Sequence, residues 1–111
     1  MRYVLIISQD ETEITGTDPE RLAAFVAFQE EIAVQGLPLT GFRLQPTANA
    51  TSVRVREDQL VIADGPFAET KEQIAGFYLV DCNDLDEAIE IASKIPSVRW
   101  GTIEVRPVWE M

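Results

Sequence analysis

The chain contains no histidine, so proton transfer near neutral pH has to rest on carboxylates, lysine, tyrosine, arginine or the one cysteine. Among these, Asp64 has the most suggestive setting. It closes an apolar run at 60–63 and is followed at once by Gly65, Pro66 and Phe67. Gly65 can take the extended or positive-φ backbone called for before proline, and Pro66 removes a donor. A carboxylate beside apolar Phe67 can have its pKa raised by desolvation and act as general acid or base. The competing reading is a plain turn, in which Asp64 accepts backbone N–H bonds from its own neighbours and Phe67 plugs the core.

Other side chains extend a candidate site. Lys71 lies among Glu69, Glu72 and Asp64 in the sequence; it either holds a substrate anion, pairs with Asp64, or belongs to a solvated charged turn. Arg54, Arg56, Glu104 and Arg106 occupy alternating strand positions. On a cleft wall, Arg106 or Arg54 would bind a carboxylate or phenolate through paired hydrogen bonds. Otherwise Glu104 and Arg106 pair across neighbouring strands. Tyr78 either donates a proton from the sheet surface or packs, and Trp100 and Trp109 read as core or interface. Cys82, next to Asp81 and near Asp84, has an acidic setting that raises its pKa and makes it a poor nucleophile. The spacings predict no metal centre, glycine-rich phosphate loop or nucleotide fingerprint, and hence no cofactor.

The elements that would position these groups follow from periodicity. Residues 3–7 read as a strand with apolar groups on both faces. Thr17 with Glu20 fits a capping box, and Asp18 with Pro19 an alternative cap one residue later. The helix that follows carries an apolar stripe of Leu22, Phe25, Ile32 and Ala33, with Val26 or Phe28, and stops at Gly36. Strands are expected at 39–44, 52–56, 60–63, 76–81 and 102–108, the second and third forming a hairpin around Glu57 and Asp58. Asp84 and Glu87 stand at box spacing before a second helix, whose stripe reads Leu85, Ala88, Ile89 and Ala92 and which ends at Pro96.

This order predicts a single α+β domain over 1–111: a ferredoxin-like βαββαβ core with an inserted β-hairpin, an antiparallel sheet and two helices on one face. Two helices cover one face only, yet 3–7 and 77–80 offer apolar groups to both. The open face would exceed the few hundred Å² of apolar patch usual on a soluble monomer, so a homodimer packed sheet to sheet is expected. With 19 acidic and 9 basic residues and a net charge of −10, the surface repels phosphate backbones and anionic lipid, excluding direct nucleic-acid or membrane partners. One cysteine and no secretory signal point to a reducing cytoplasm.

The segments "ADGPFAETKE" at 63–72, "GFYLVD" at 76–81, "LDEAIEIASKIP" at 85–96 and "IEVRPV" at 103–108, with the opening "MRYVLIISQDE", together resemble the YCII-related family, specifically its DGPF-motif branch. The resemblance covers essentially the whole chain. It implies a ferredoxin-like fold that dimerises face to face as a dimeric α+β barrel. It implies acid–base or lyase-like work on small molecules in a cleft near the sheet. Joined to the residue reading above, this gives a small dimeric cleft enzyme doing lyase- or isomerase-like chemistry on a small anionic molecule, with Asp64 transferring protons and Arg106 and Lys71 holding the anion. Most members have no established activity. DGPF-type members also stand beside, or fused to, extracytoplasmic-function sigma factors, which implies the alternative of a non-catalytic ligand- or protein-binding dimer partnered with a transcription regulator. The His–Asp pair proposed as catalytic in some relatives has no counterpart in a chain without histidine.

Overall fold

The two central strands, β1 (Arg2–Gln9) and β5 (Gln73–Asp81), set the frame. On one face Tyr3, Leu5 and Ile7 of β1 and Tyr78 and Val80 of β5 are buried, while Val4, Ile6, Phe77 and Leu79 on the other are only partly covered. The computed structural model describes residues 1–12 and 18–110. In it β1 and β5 pair antiparallel, β2 (Leu39–Arg43) flanks β5, and β6 (Gly101–Pro107) flanks β1. The order β2-β5-β1-β6 is that of a ferredoxin-like sheet. Two further strands, β3 (Thr51–Arg56) and β4 (Gln59–Asp64), pair only with each other as the inserted hairpin.

Both helices, α1 (Pro19–Val34) and α2 (Leu85–Ser93), send side chains into the same core as Leu5 and Val80, through Phe28, Ile32, Ala88 and Ile91. They therefore share one face of the sheet. Lys94 at the end of α2 bridges to Glu31 of α1 at 3.0 Å. The molecule is only 18 Å through its shortest axis, room for one sheet and a single layer of helices about 10 Å thick.

Helix α1 begins with Asp18 as N-cap and Pro19 in its first turn; the Asp18 carboxylate accepts from the backbone N–H of Glu20 at 3.0 Å and of Arg21 at 3.4 Å. The capping box expected from Thr17 falls outside the described residues. Gly36 ends the helix with φ +71°, the left-handed geometry that glycine adopts without a Cβ penalty. The buried stripe is narrower than the periodicity predicts: Phe28 and Ile32 are buried and Phe25 half-buried, but Leu22 is 61% exposed and Val26 and Ala33 are also exposed. In α2 the expected stripe is rotated. Ala88, Ile91 and Ala92 are buried and Leu85 and Ile89 are not. The reason lies beyond the helix: Ile95 is fully buried, and 88, 91, 92 and 95 form one continuous i, i+3, i+4, i+7 seam.

Asp84 caps α2 by accepting from the Glu87 N–H at 2.9 Å, and Glu87 reaches back to the Asn83 N–H at 2.9 Å, one residue before the reciprocal partner of an ordinary capping box. The hairpin turns on Glu57 and Asp58, both with positive φ. Its apolar face, Val53 and Val55 opposite Ile62 and Leu60, is about three-fifths exposed throughout.

Asp84→Ala should cost about 1 kcal/mol, lowering the melting temperature by roughly 4–8 °C in thermal unfolding followed by circular dichroism, with the native spectrum otherwise retained.

Candidate functional site

A cleft of about 230 Å³ opens between the first half of α1, the β2–β5 edge of the sheet and the turn at Pro96–Arg99. Its walls are mostly apolar and its polar groups few. Gly41 of β2 lies opposite Tyr78 of β5; a Cβ there would stand 2.5 Å from the Tyr78 ring and 2.4 Å from the Phe77 carbonyl oxygen. The missing side chain is what lets the Tyr78 ring lie across β2. That ring packs at 5.4 Å against Phe28. Gln29 Nε2 donates to Tyr78 Oη at 3.1 Å, so the phenol proton remains available to a ligand. The β1–β5 register slips between Ile7 and Ser8, leaving Ala75 opposite no β1 residue. This irregularity brings both Ala75 and Gly76 to the cleft wall.

At the mouth, the Arg21 guanidinium lies over the Trp100 ring, 4.3 Å from its centroid, a cation–π contact worth about 0.5–2 kcal/mol. Trp100 is itself fixed, its Nε1 donating to Gln9 Oε1 at 3.0 Å and its ring meeting Phe25 edge-on at 6.5 Å. Asp18 Oδ2 stands 3.6 Å from Arg21 Nε. Arg43 also stands on the wall.

The residues singled out from the sequence fall in four places. Asp64, Arg54 and Phe67, with Arg56, border a shallow groove of about 270 Å³ along the hairpin. Tyr78 lies in the cleft, Arg106 on the open sheet face and Lys71 in the exposed connection between β4 and β5. Among the described residues the Asp64 carboxylate accepts no hydrogen bond. The turn is closed instead by Gly65 N–H donating to the Ala50 carbonyl and Ser52 Oγ donating to the Gly65 carbonyl, each at 2.8 Å. Gly65 has φ +94°, the conformation its place before Pro66 suggested. Phe67 does not plug the core; it is 83% exposed, because the hairpin buries little of itself against the body. Glu104 and Arg106 do pair, but along β6 rather than across strands. Lys71 acts on Asp10, whose carboxyl is held below its ordinary pKa first by hydrogen bonds from the Thr12 side chain and amide and only weakly by that lysine. Trp109 is 86% exposed and no part of the chain's own core.

Sequence reasoning missed Arg21, Gln29 and Ser97 and took Trp100 only as packing. No motif marks them: a lone arginine in a first turn or a serine after Pro96 has no spacing that signals a cleft.

Cys82 is buried. Burial pushes its thiol pKa up, with the negative charge of Glu87 next in size; the acidic neighbours read from the sequence matter less than desolvation. A raised folded-state pKa keeps the thiol neutral, and the stability it confers is present below the ordinary thiol range and lost as pH rises through the folded value. Iodoacetamide at pH 8 should therefore label the native chain at least about tenfold more slowly than the urea-unfolded chain, as read by mass spectrometry.

A family model described as "YCII-related domain" matches residues 1–111. A protein of Rhizobium meliloti (strain 1021), titled "Uncharacterized protein R00369", is 47% identical over 68 residues, which span 60% of this chain and 55% of that protein. The chain thus matches about half the length of that curated relative.

Proposed function

The chain belongs to the YCII-related domain family, and from that premise we propose that it is a homodimeric binding protein for a small anionic molecule held in the cleft beneath α1. One observation carries this reading: Arg21, held on Trp100 by Asp18 and the ring, presents a cation at the mouth of a mostly apolar cleft. Carboxylates bind such a planar guanidinium through paired hydrogen bonds. Its immobilisation on an aromatic face lowers the entropy lost on binding.

Dimerisation is supported by two uncovered apolar surfaces. Phe42, 66% exposed, stacks at 6.0 Å on Phe77 on the open face, beside half-covered Val4, Ile6 and Leu79. The hairpin adds Val53, Val55, Leu60 and Ile62, and a two-stranded hairpin on its own is marginally stable in water. A second copy laid sheet to sheet covers the first surface and gives the second a seat. The DGPF branch rests on Asp64 to Phe67, and the lone cysteine fits a reducing cytoplasm. Among the described residues no helix is long and apolar enough to cross a membrane.

A second reading, acid–base catalysis on an anion held instead in the hairpin groove, is favoured by Asp64 sharing that groove with Arg54 and Arg56; in a dimer, Lys71 and Arg106 would assist that anion. A transcription regulator as protein partner is the remaining alternative, resting on the family resemblance.

Calorimetric titration with small aliphatic and aromatic carboxylates should give saturable binding that Arg21→Gln weakens by about tenfold or more, as expected for a lost charge-assisted hydrogen bond. Any turnover found in the same panel should vanish in Asp64→Asn; turnover that survives removes Asp64 as the proton carrier. Sedimentation at micromolar concentration should give a dimer that Phe42→Asp converts to a folded monomer, and a wild-type monomer there would refute the sheet-to-sheet assembly.

A further inference from the structure

Ser97 is fully buried and its Oγ has no hydrogen-bond partner. It is the sole buried side-chain polar atom so placed among the described residues. A buried hydroxyl left unpaired is costly, and native chains normally give such a group a partner or a use. Here Ser97 borders the cleft from the turn at Pro96–Arg99. Arg21 lines the same cleft, its side chain 32% exposed. Phe25, Tyr78 and Trp100 line it too, with Gly41 supplying width. A dry cavity of about 150 Å³ takes a benzene ring; about 230 Å³ takes a ring with a substituent at each end.

We infer that the ligand is an aromatic carboxylate bearing a second polar substituent, with its carboxylate on Arg21 and that substituent hydrogen-bonded to Ser97 Oγ. Ser97 is then the residue that sets specificity. This deepens the anion-binding reading and rests on it. An aliphatic acid would leave the aromatic walls poorly filled, and an unsubstituted aromatic acid would leave the serine unpaired. The Ser97 hydroxyl can donate or accept, so a phenolic substituent satisfies it in either sense, and the Tyr78 proton offers a donor from the adjoining wall.

The test compares benzoate with 2-, 3- and 4-hydroxybenzoate, titrated into wild type and Ser97→Ala, with thermal unfolding of both proteins alongside. Wild type should bind at least one hydroxybenzoate about tenfold more tightly than benzoate, the scale of one well-made buried hydrogen bond. Ser97→Ala should abolish that preference and melt no lower than wild type, because it deletes a hydroxyl that had no partner. Equal binding of all four acids, a preference that persists in Ser97→Ala, or a lowered melting temperature would each overturn the assignment while leaving anion binding intact. Failure of all four acids to bind wild type would instead remove the anion-binding reading on which it stands.

Discussion

The central pair of strands carries apolar side chains on both faces, and two helices have been spent on one of them. Tyr3, Leu5, Tyr78 and Val80 vanish into the helix side, whereas Val4, Ile6, Phe77 and Leu79 remain half in water. Hydrophobic burial scales with area removed from water, at about 25 cal/mol per Å², so an uncovered sheet face is a standing source of association free energy. The hairpin compounds it. Its turn is tight enough to need two residues of positive φ, Glu57 and Asp58, and it projects four apolar side chains that stay about three-fifths exposed.

The helix side solves a different problem with few residues. Asp18 caps α1 with one oxygen and holds Arg21 with the other, so the start of the helix and the mouth of the cleft are a single construction. A cation in the first turn opposes the helix dipole, and the capping carboxylate offsets it. Trp100 then receives Arg21 on its face while Gln9 and Phe25 hold its edge. In a chain with twice as many acids as bases, a fixed positive group of this kind is a local exception. Salt at ordinary ionic strength screens the repulsion of that acidic surface beyond about 10 Å, so it would not bar a small anion from the guanidinium.

The strands and their order were readable because alternation at period two leaves little freedom: Tyr3, Leu5 and Ile7, or Ile103 and Val105, can face only one way. The positive φ of Gly65 and the Asp18 and Asp84 caps were equally local. What failed was helical phase. Leu85 and Ile89 satisfy a helical stripe as well as Ile91 does, and only the burial of Ile95 after the helix ends decides between them. Phe67 failed for a related reason, since whether an aromatic after a turn plugs a core depends on where the turn is carried. The cleft was the least legible feature. Its polar groups come from β1, α1, β2, β5 and the Pro96–Arg99 turn, and each has an ordinary local reason to be where it is. A hydroxyl without a partner becomes visible only when all its neighbours are in place.

The two tryptophans occupy opposite environments. Trp109 stands almost wholly in water, and its emission should be that of a free indole, indifferent to what enters the cleft. Trp100 lies under a guanidinium, edge-on to a phenyl ring and tied through its ring nitrogen, so its excited state feels every change at the mouth. A ligand entering the cleft would therefore be reported by one indole as a shift in colour, and the other would supply the fixed background against which that shift is read.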